Sequence, residues 1–297
     1  MFGISINGEK VIKRNIYKLM FKSLIMVILS NVVCSTFGQN YSFPFGQELR
    51  KVMQTDTTPK KVFVLGVYAS AVHAKWLDTN GRVLIKALAV ASEPCIFWTG
   101  DSTEALLIIN EIKIPNELGK LVPAECSFNG PSGRCLDSNF LFPLNYKRED
   151  AWLCDLVPHS CQNSSQKLAL EREYNKYIKL GKLPAYNIPE VPANLASEER
   201  IQEILTELKQ SQADTIIILG DQPIIYFLSR FTDKYKKLSD FSEYGKPVDV
   251  SIDNKTYTII ALAHPRQVSK LGKSTQKWYD FHQIWMKEKL KRNNPSR

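Results

Sequence analysis

The chain has 297 residues, 44% hydrophobic and 23% charged, enough apolar material for one sizeable core and too much for wholesale disorder. Its formal charge of +9 is concentrated at the ends: residues 1–40 carry net +4 and residues 261–297 net +7, leaving −2 for the middle. A basic end on a near-neutral body suits a polyanionic partner, and a solvated basic helix accounts for the same charge. The six cysteines (Cys34, Cys95, Cys126, Cys135, Cys154, Cys161) form no CxxC pair or regular framework, so they read as free thiols of a reducing compartment.

At the amino terminus Lys10, Lys13, Arg14, Lys18 and Lys22 precede an apolar run over residues 24–33, followed by Cys34, Ser35 and Thr36. This charged, apolar, small order is that of a secretory signal, and the run is too short to span a bilayer. The same residues also read as an accessory strand or helix, or as an extension upstream of a working start at Met20. Residues 1–40 are therefore set apart as a leader-like or accessory extension, and residues 41–297 as a single domain. The expected location is cytoplasmic, with export as the alternative, and no later segment reads as transmembrane.

Residues 61–68 are the first strand, with Val62, Phe63, Val64 and Leu65 in a row, the continuous apolar pattern of a strand buried on both faces. The turn after it carries Gly66, Tyr68, Ser70 and His73. Asp78-Thr79-Asn80-Gly81 is a hairpin signal that pairs residues 74–77 with 82–90. Asp101 to Glu104 caps a helix over residues 104–112, and Pro115 and Pro123 bracket an irregular connection. A Gly-rich loop from Phe128 leads into a helix over 134–142, and residues 151–156 form a second buried strand. Residues 167–179 and 197–212 read as amphipathic helices, the second started by Ser197 with Glu198 and Glu199. A third strand over 215–219 precedes a helix over 223–231. Residues 246–252 and 256–263 form a hairpin-like return into the last core strand. A helix over 274–292 closes the chain, aromatic on one face (Trp278, Phe281, Trp285) and basic near its end.

Strands interleaved with helices predict a three-layer α/β/α domain around a central, mainly parallel sheet. Ligands of such sheets sit beyond the carboxyl ends of the strands. The polar turns after Leu65, Leu156, Leu219 and Ala263 all fall on that edge.

Taken in order, these turns resemble the uracil-DNA glycosylase superfamily over about residues 60–285. Gly66-Val67-Tyr68-Ala69-Ser70 stands at the place of its first motif, which has GQDPY, GEAPG or GINPG forms. Phe128 to Asp137, FNGPSGRCLD, is similar to the PFVGRAGxxLD stretch of the iron–sulfur subfamilies. Ala151 to Pro158 is similar to the strand ending in ITN, and His264-Pro265-Arg266-Gln267 stands at the place of HPS. The resemblance implies an enzyme that flips a base out of DNA, stacks it on an aromatic ring and hydrolyses its N-glycosidic bond. Phe128 would be the stacking platform, with Tyr68 and Gly66 beside the base. His264 would donate a hydrogen bond to the departing base as negative charge builds on it. Ser70, Pro265, Arg266, Gln267 and Lys270 would meet the DNA, the cations by neutralising phosphate.

The chain departs from the pattern at informative places. The first motif usually supplies a carboxylate or Asn that positions the attacking water, where this chain has Val67 and Tyr68; no obvious base remains in that turn, and His73 reads equally as a base, a phosphate ligand or a structural residue. Asp155 stands where a base-reading Asn would be. Ionised, it can only accept hydrogen bonds. That suits an amino-bearing, cytosine-like or modified pyrimidine better than plain uracil, or else a role for Asp155 as the water base. The cluster-binding cysteines are absent, and strand alternation turns Cys154 away from His159 and Cys161, so neither cofactor nor metal is expected.

The leading expectation is a monomeric DNA glycosylase with His264, Asp155 and His73 as its chemical groups, serving repair or defence against foreign modified DNA. The alternatives are a catalytically silent member that binds nucleic acid, and an exported protein using the fold for another ligand.

Overall fold

The computed structural model describes residues 41–269 and 276–293. Residues 1–40, Lys270 and Ser274, on which expectations were placed, lie outside the described residues.

The apolar runs form one sheet. β1 (Val62–Tyr68), β5 (Ala151–Val157), β6 (Thr215–Leu219) and β8 (Lys255–Leu262) are parallel, in the spatial order β5-β1-β6-β8, and β7 (Val248–Ile252) adds antiparallel beyond β8. Val62 to Leu65 are fully buried because β1 has a strand on either side and helical layers above and below. The domain is a three-layer α/β/α structure, as the sequence predicts. At the sheet's outer edge, residues 52–54 cover β5: the Val52 N–H donates to the Pro158 carbonyl at 2.7 Å, and Gln54 Oε1 accepts from the Leu153 N–H at 3.2 Å.

A second, smaller sheet follows β1 at once. β2 (Ala71–Leu77) pairs antiparallel with β3 (Val83–Ser92), closed by Asp78 Oδ1 accepting from the N–H groups of Asn80 and Arg82 at 2.9 and 2.8 Å. The turn after β1 is therefore only Ala69–Ser70, and His73 lies within β2 rather than in a turn. The connection expected to be irregular contains β4 (Lys120–Pro123), which pairs with the other edge of β2. This sheet has its own core of Phe43, Phe45, Trp76, Leu88 and Tyr174.

The helices fit their capping chemistry. α1 (Ser102–Asn110) begins at Asp101, whose Oδ1 accepts from the Glu104 N–H at 2.8 Å. α2 (Pro131–Cys135) starts three residues earlier than predicted, because Gly130 turns left-handed (φ 66°) and Pro131 suits the first helical position. It widens into a π-helical turn over Leu136–Leu141. The single helix expected over 167–179 is α3 (Ser164–Ala169) and α4 (Asn175–Lys179), joined by a second such turn at Leu170–Tyr174. α5 (Glu198–Ser211) is capped by the Ser197 hydroxyl. α6 (Asp221–Tyr226) starts before the predicted residue 223, so that Pro223 falls in the first turn where no N–H is needed. α7 (Pro265–Val268) and α8 (Gln276–Asn293) complete the domain.

Two contacts orient the sheet's faces. Trp152 Nε1 donates to Glu207 Oε2 at 3.1 Å, and Arg200 Nη2 reaches Cys154 Sγ at 3.2 Å, so even-numbered residues of β5 face α5. Leu153 and Asp155 face the other way by strand alternation. Arg200 also donates to the Asp155 carbonyl at 2.7 Å and pairs with Glu207 at 3.0 Å. On the β8 side, α8 is anchored by a chain of bonds through buried His282. The Ala263 N–H donates to Tyr244 Oη (2.9 Å), Tyr244 donates to His282 Nδ1 (2.7 Å), and His282 Nε2 donates to the Asn139 carbonyl (3.0 Å).

Candidate functional site

The floor of the site is where β1 and β5 end side by side. Gly66 pairs in register with Asp155, so both point to the same face. A methyl group at position 66 would collide with Asp155 Oδ1 and come within 2.7 Å of the Phe97 ring, which explains why glycine stands there. Asp155 is 3% exposed, and its Oδ1 has no hydrogen-bond partner among the described residues. Burial pushes its carboxyl up to about 7, with Arg200 pulling the other way. Glu93, 4% exposed just beyond β3, is the second carboxyl of this floor. It accepts from the Ser70 N–H at 3.0 Å, and burial followed by the charge of Asp155 pushes it up to about 8. Near neutral pH the two groups together hold at least one proton. Asp155 in its neutral form both donates and accepts, as an amide does. By these values Glu93 takes the first proton, so Asp155 is acceptor-only while ionised and becomes a donor as well only when it too is protonated.

Phe97 and Glu93 were missed in the sequence, where they stand in an unremarkable run between β3 and α1. Phe97 has φ 51°, a left-handed conformation that costs a bulky residue energy, and its ring closes over Gly66. The only sequence signal was negative: Glu93-Pro94 ends a strand with a residue that rarely becomes buried.

His264 follows β8 on the same edge of the sheet, about 14 Å from the β5 end if each of the three strand steps spans the usual spacing. It caps α7 reciprocally. Its Nδ1 accepts from the Arg266 N–H at 3.2 Å, and its own N–H donates to Gln267 Oε1 at 3.0 Å. Burial, aided by the Arg266 charge, pushes the imidazole down to about 4, so it is neutral. With Nδ1 accepting, the ring proton is on Nε2, which is left as a donor. Pro265 is buried and its carbonyl meets Cys135 Sγ at 3.9 Å, which brings α2 to the His264 turn. Arg266 is exposed, while Gln267 is half-buried and engaged in the cap.

The FNGPSGRCLD stretch acts as a strut. Gly100 (φ 75°) and Gly130 (φ 66°) approach so closely that a side chain on either would strike the other segment's backbone. Arg134 donates to the carbonyls of Asn129, Thr99 and Cys126, tying the Phe97 loop to the Phe128 loop. Asn129 exchanges hydrogen bonds with the backbone of His73 at 2.8 and 3.0 Å. Phe128 itself is 42% exposed at the rim, and the aromatic ring packed on Gly66 at the floor is Phe97.

Tyr68, Ser70 and His73 are brought together elsewhere. They line a cavity with Ser160, Gln162 and Gln166, on the β2 side of the Ala69–Ser70 turn. Asp155 and His264 do not line it. Cys154 faces Arg200 while His159 and Cys161 lie in the loop beyond β5, and no metal-binding cluster occurs among the described residues. No helix of the described residues is long and apolar enough to cross a membrane. Neither a protein-family model nor a curated protein matches this chain.

Proposed function

We propose that the chain is a DNA glycosylase that hydrolyses the N-glycosidic bond of a flipped pyrimidine. The carrying observation is His264: neutral, with Nδ1 committed to its own helix cap, it holds an Nε2–H donor at the carboxyl edge of the sheet. A fixed neutral donor of this kind stabilises a base leaving as an anion without first having to lose a proton. The bond between C1′ and the base nitrogen breaks with its electron pair going to the base. Water then attacks the cationic sugar, forming the C1′–O bond, and its proton ends on the departed base anion. Asp155 lies on the same edge and supports base reading. Ionised, its carboxyl accepts from the exocyclic amine of a cytosine-like base; protonated, it also donates, to O4 of uracil or N3 of cytosine. Uracil is therefore kept among the candidate substrates alongside cytosine-like bases. The resemblance of the four strand-end motifs to the uracil-DNA glycosylase superfamily supports the same reading.

The test is abasic-site formation on single- and double-stranded DNA carrying uracil, cytosine or modified cytosines. His264→Ala is expected to lower turnover by about 10²- to 10³-fold, the usual loss for one transition-state donor. No cleavage of any base by folded wild-type protein would overturn the reading. It would favour a silent nucleic-acid binder, which has one observation behind it: both floor carboxyls are closed off, at 3% and 4% exposure, by Gly66, Phe97 and the Ser70 turn.

A further inference from the structure

The spacing of its side chains divides α8 into two faces. His282 and Trp285 are buried, and Trp278 and Met286 pack half-buried against the core. The opposite face follows the helical repeat: Lys277, Phe281, Ile284, Glu288 and Lys291 stand at steps of three and four, and all are exposed. Phe281 is 41% and Ile284 57% exposed, two large apolar side chains open to solvent in the middle of the helix. Lys287 and Arg292 are exposed beside this row. At the usual helical rise, Lys277 and Lys291 lie about 21 Å apart along the axis.

The cations of α8 outnumber its acids. Lys277, Lys287, Lys289, Lys291 and Arg292 stand against Asp280 and Glu288. Lysines of other elements, such as Lys61, Lys167 and Lys209, pair with carboxylates, whereas none of the five α8 cations forms an ion pair among the described residues. Asp280 accepts instead from Gln276 Nε2 at 2.9 Å. Burial, followed by the charge of Arg292, holds the Lys289 ammonium below the usual lysine range, so like charges crowd one another at this end. Lys277 stands over two rings, its Nζ 5.3 Å from the centre of Trp278 and 5.6 Å from that of Phe281.

Unpaired cations around an exposed aromatic ring have the chemistry of a single-strand binding face, where phosphates meet the cations and an unstacked base lies on the ring. In a duplex the bases stack on one another, which would leave Phe281 and Ile284 without a partner. A bilayer is a plane, and an anionic one would press its headgroups on Asp280 and Glu288 along with the cations. A flexible strand can lead its phosphates past both acids. We propose that the outward face of α8 binds single-stranded nucleic acid. A base stacks on Phe281, Ile284 packs beside it, and Lys277, Lys287, Lys291 and Arg292 neutralise phosphates. The face includes neither Asp155 nor His264 and requires no base to be cleaved.

Fluorescence anisotropy of the full chain with a labelled oligothymidylate tests it. That strand contains neither uracil nor cytosine, so its binding is read whether or not the protein excises bases. Saturable binding that weakens as salt rises is expected. Phe281→Leu, which keeps an apolar side chain but removes the stacking face, should weaken it at least about fivefold, and Phe281→Tyr should restore it. Lys277→Gln, Lys287→Gln and Lys291→Gln together should weaken binding and flatten the slope of log affinity against log salt by about 2. Lys86→Gln, at an exposed cation of β3, controls for charge in general and should change neither. A duplex of the same length should bind more weakly than the strand. No binding of the strand by wild-type protein, full affinity in Phe281→Leu or in the triple lysine variant, or a duplex bound as tightly as the strand would each overturn the proposal. Binding to vesicles of equal phosphatidylserine and phosphatidylcholine without binding to the strand would overturn it in favour of a lipid surface. Strand binding without base excision would remove the glycosylase reading alone.

Discussion

Two buried polar clusters of the domain, the His282 chain beside β8 and the floor at β1 and β5, treat their polar groups differently. Beside β8, every polar atom of the Ala263–Tyr244–His282–Asn139 chain is paired although His282 is fully buried, while the neighbouring Trp285 Nε1 has no partner among the described residues. On the β1 and β5 side, and in the small sheet beside it, Asp155 Oδ1, His73 Nδ1 and Gln162 Nε2 have no partner among the described residues. Saturated networks rigidify a fold, whereas each unsatisfied buried group carries a desolvation cost. The contrast separates scaffold from chemistry more sharply than residue type does. Both His282 and His73 are pushed down to about 4 mainly by burial, yet only one is fully bonded.

That contrast can be broken most forcefully on the saturated side. His282→Ala is expected to cost about 3–5 kcal/mol, from the lost ring volume and from the Tyr244 hydroxyl and Asn139 carbonyl left unpaired. Urea unfolding measures it, and a loss below about 1 kcal/mol would mean that the network is not the scaffold described. A smaller effect of opposite sign is expected at the floor. The folded pKa of Asp155 is raised above its unfolded value, so its contribution is fully present below about pH 4 and is lost as pH rises through about 7. Asp155→Asn, which does not titrate, should therefore stabilise the fold at pH 8.5, by up to about 4 kcal/mol, and change it little at pH 4. Equal responses at both pH values would show that the carboxyl is ionised throughout. The smallest effect belongs to the cavity: Gln162→Leu should shift unfolding by less than about 1 kcal/mol, since the Nε2 it removes has no partner among the described residues. A large destabilisation would place Gln162 with the scaffold instead.

Much of the fold was legible because its strands are continuous apolar runs: Val62 to Leu65 and Ile216 to Leu219 admit few other readings. The hairpin signal at Asp78 and the caps at Asp101 and Ser197 are local chemistry, and they act as read. β4 was not legible, because Lys120–Pro123 is four residues long, ends in proline and gains its strand character only from β2. His73 looked like a turn residue because the real turn, Ala69–Ser70, is too short to interrupt the pattern visibly. Glu93 and Phe97 could not be found as site residues, because their roles arise from contacts with Gly66, Ser70 and Asp155 across the fold. The ionisation of Asp155 was equally hidden, being set by burial. The cavity draws on segments as far apart as Phe43 and Ile188, so no stretch of sequence contains it.

The cover that residues 52–54 give to β5 has a consequence for handling the protein. β5 is an outermost strand whose seven residues are all buried, so an uncovered β5 would present free backbone groups beside apolar surface. Such an edge is a template onto which other chains add by strand pairing. Proteolytic trimming past Gln54 would therefore leave the sheet formed but sticky, and self-association would appear before any loss of secondary structure.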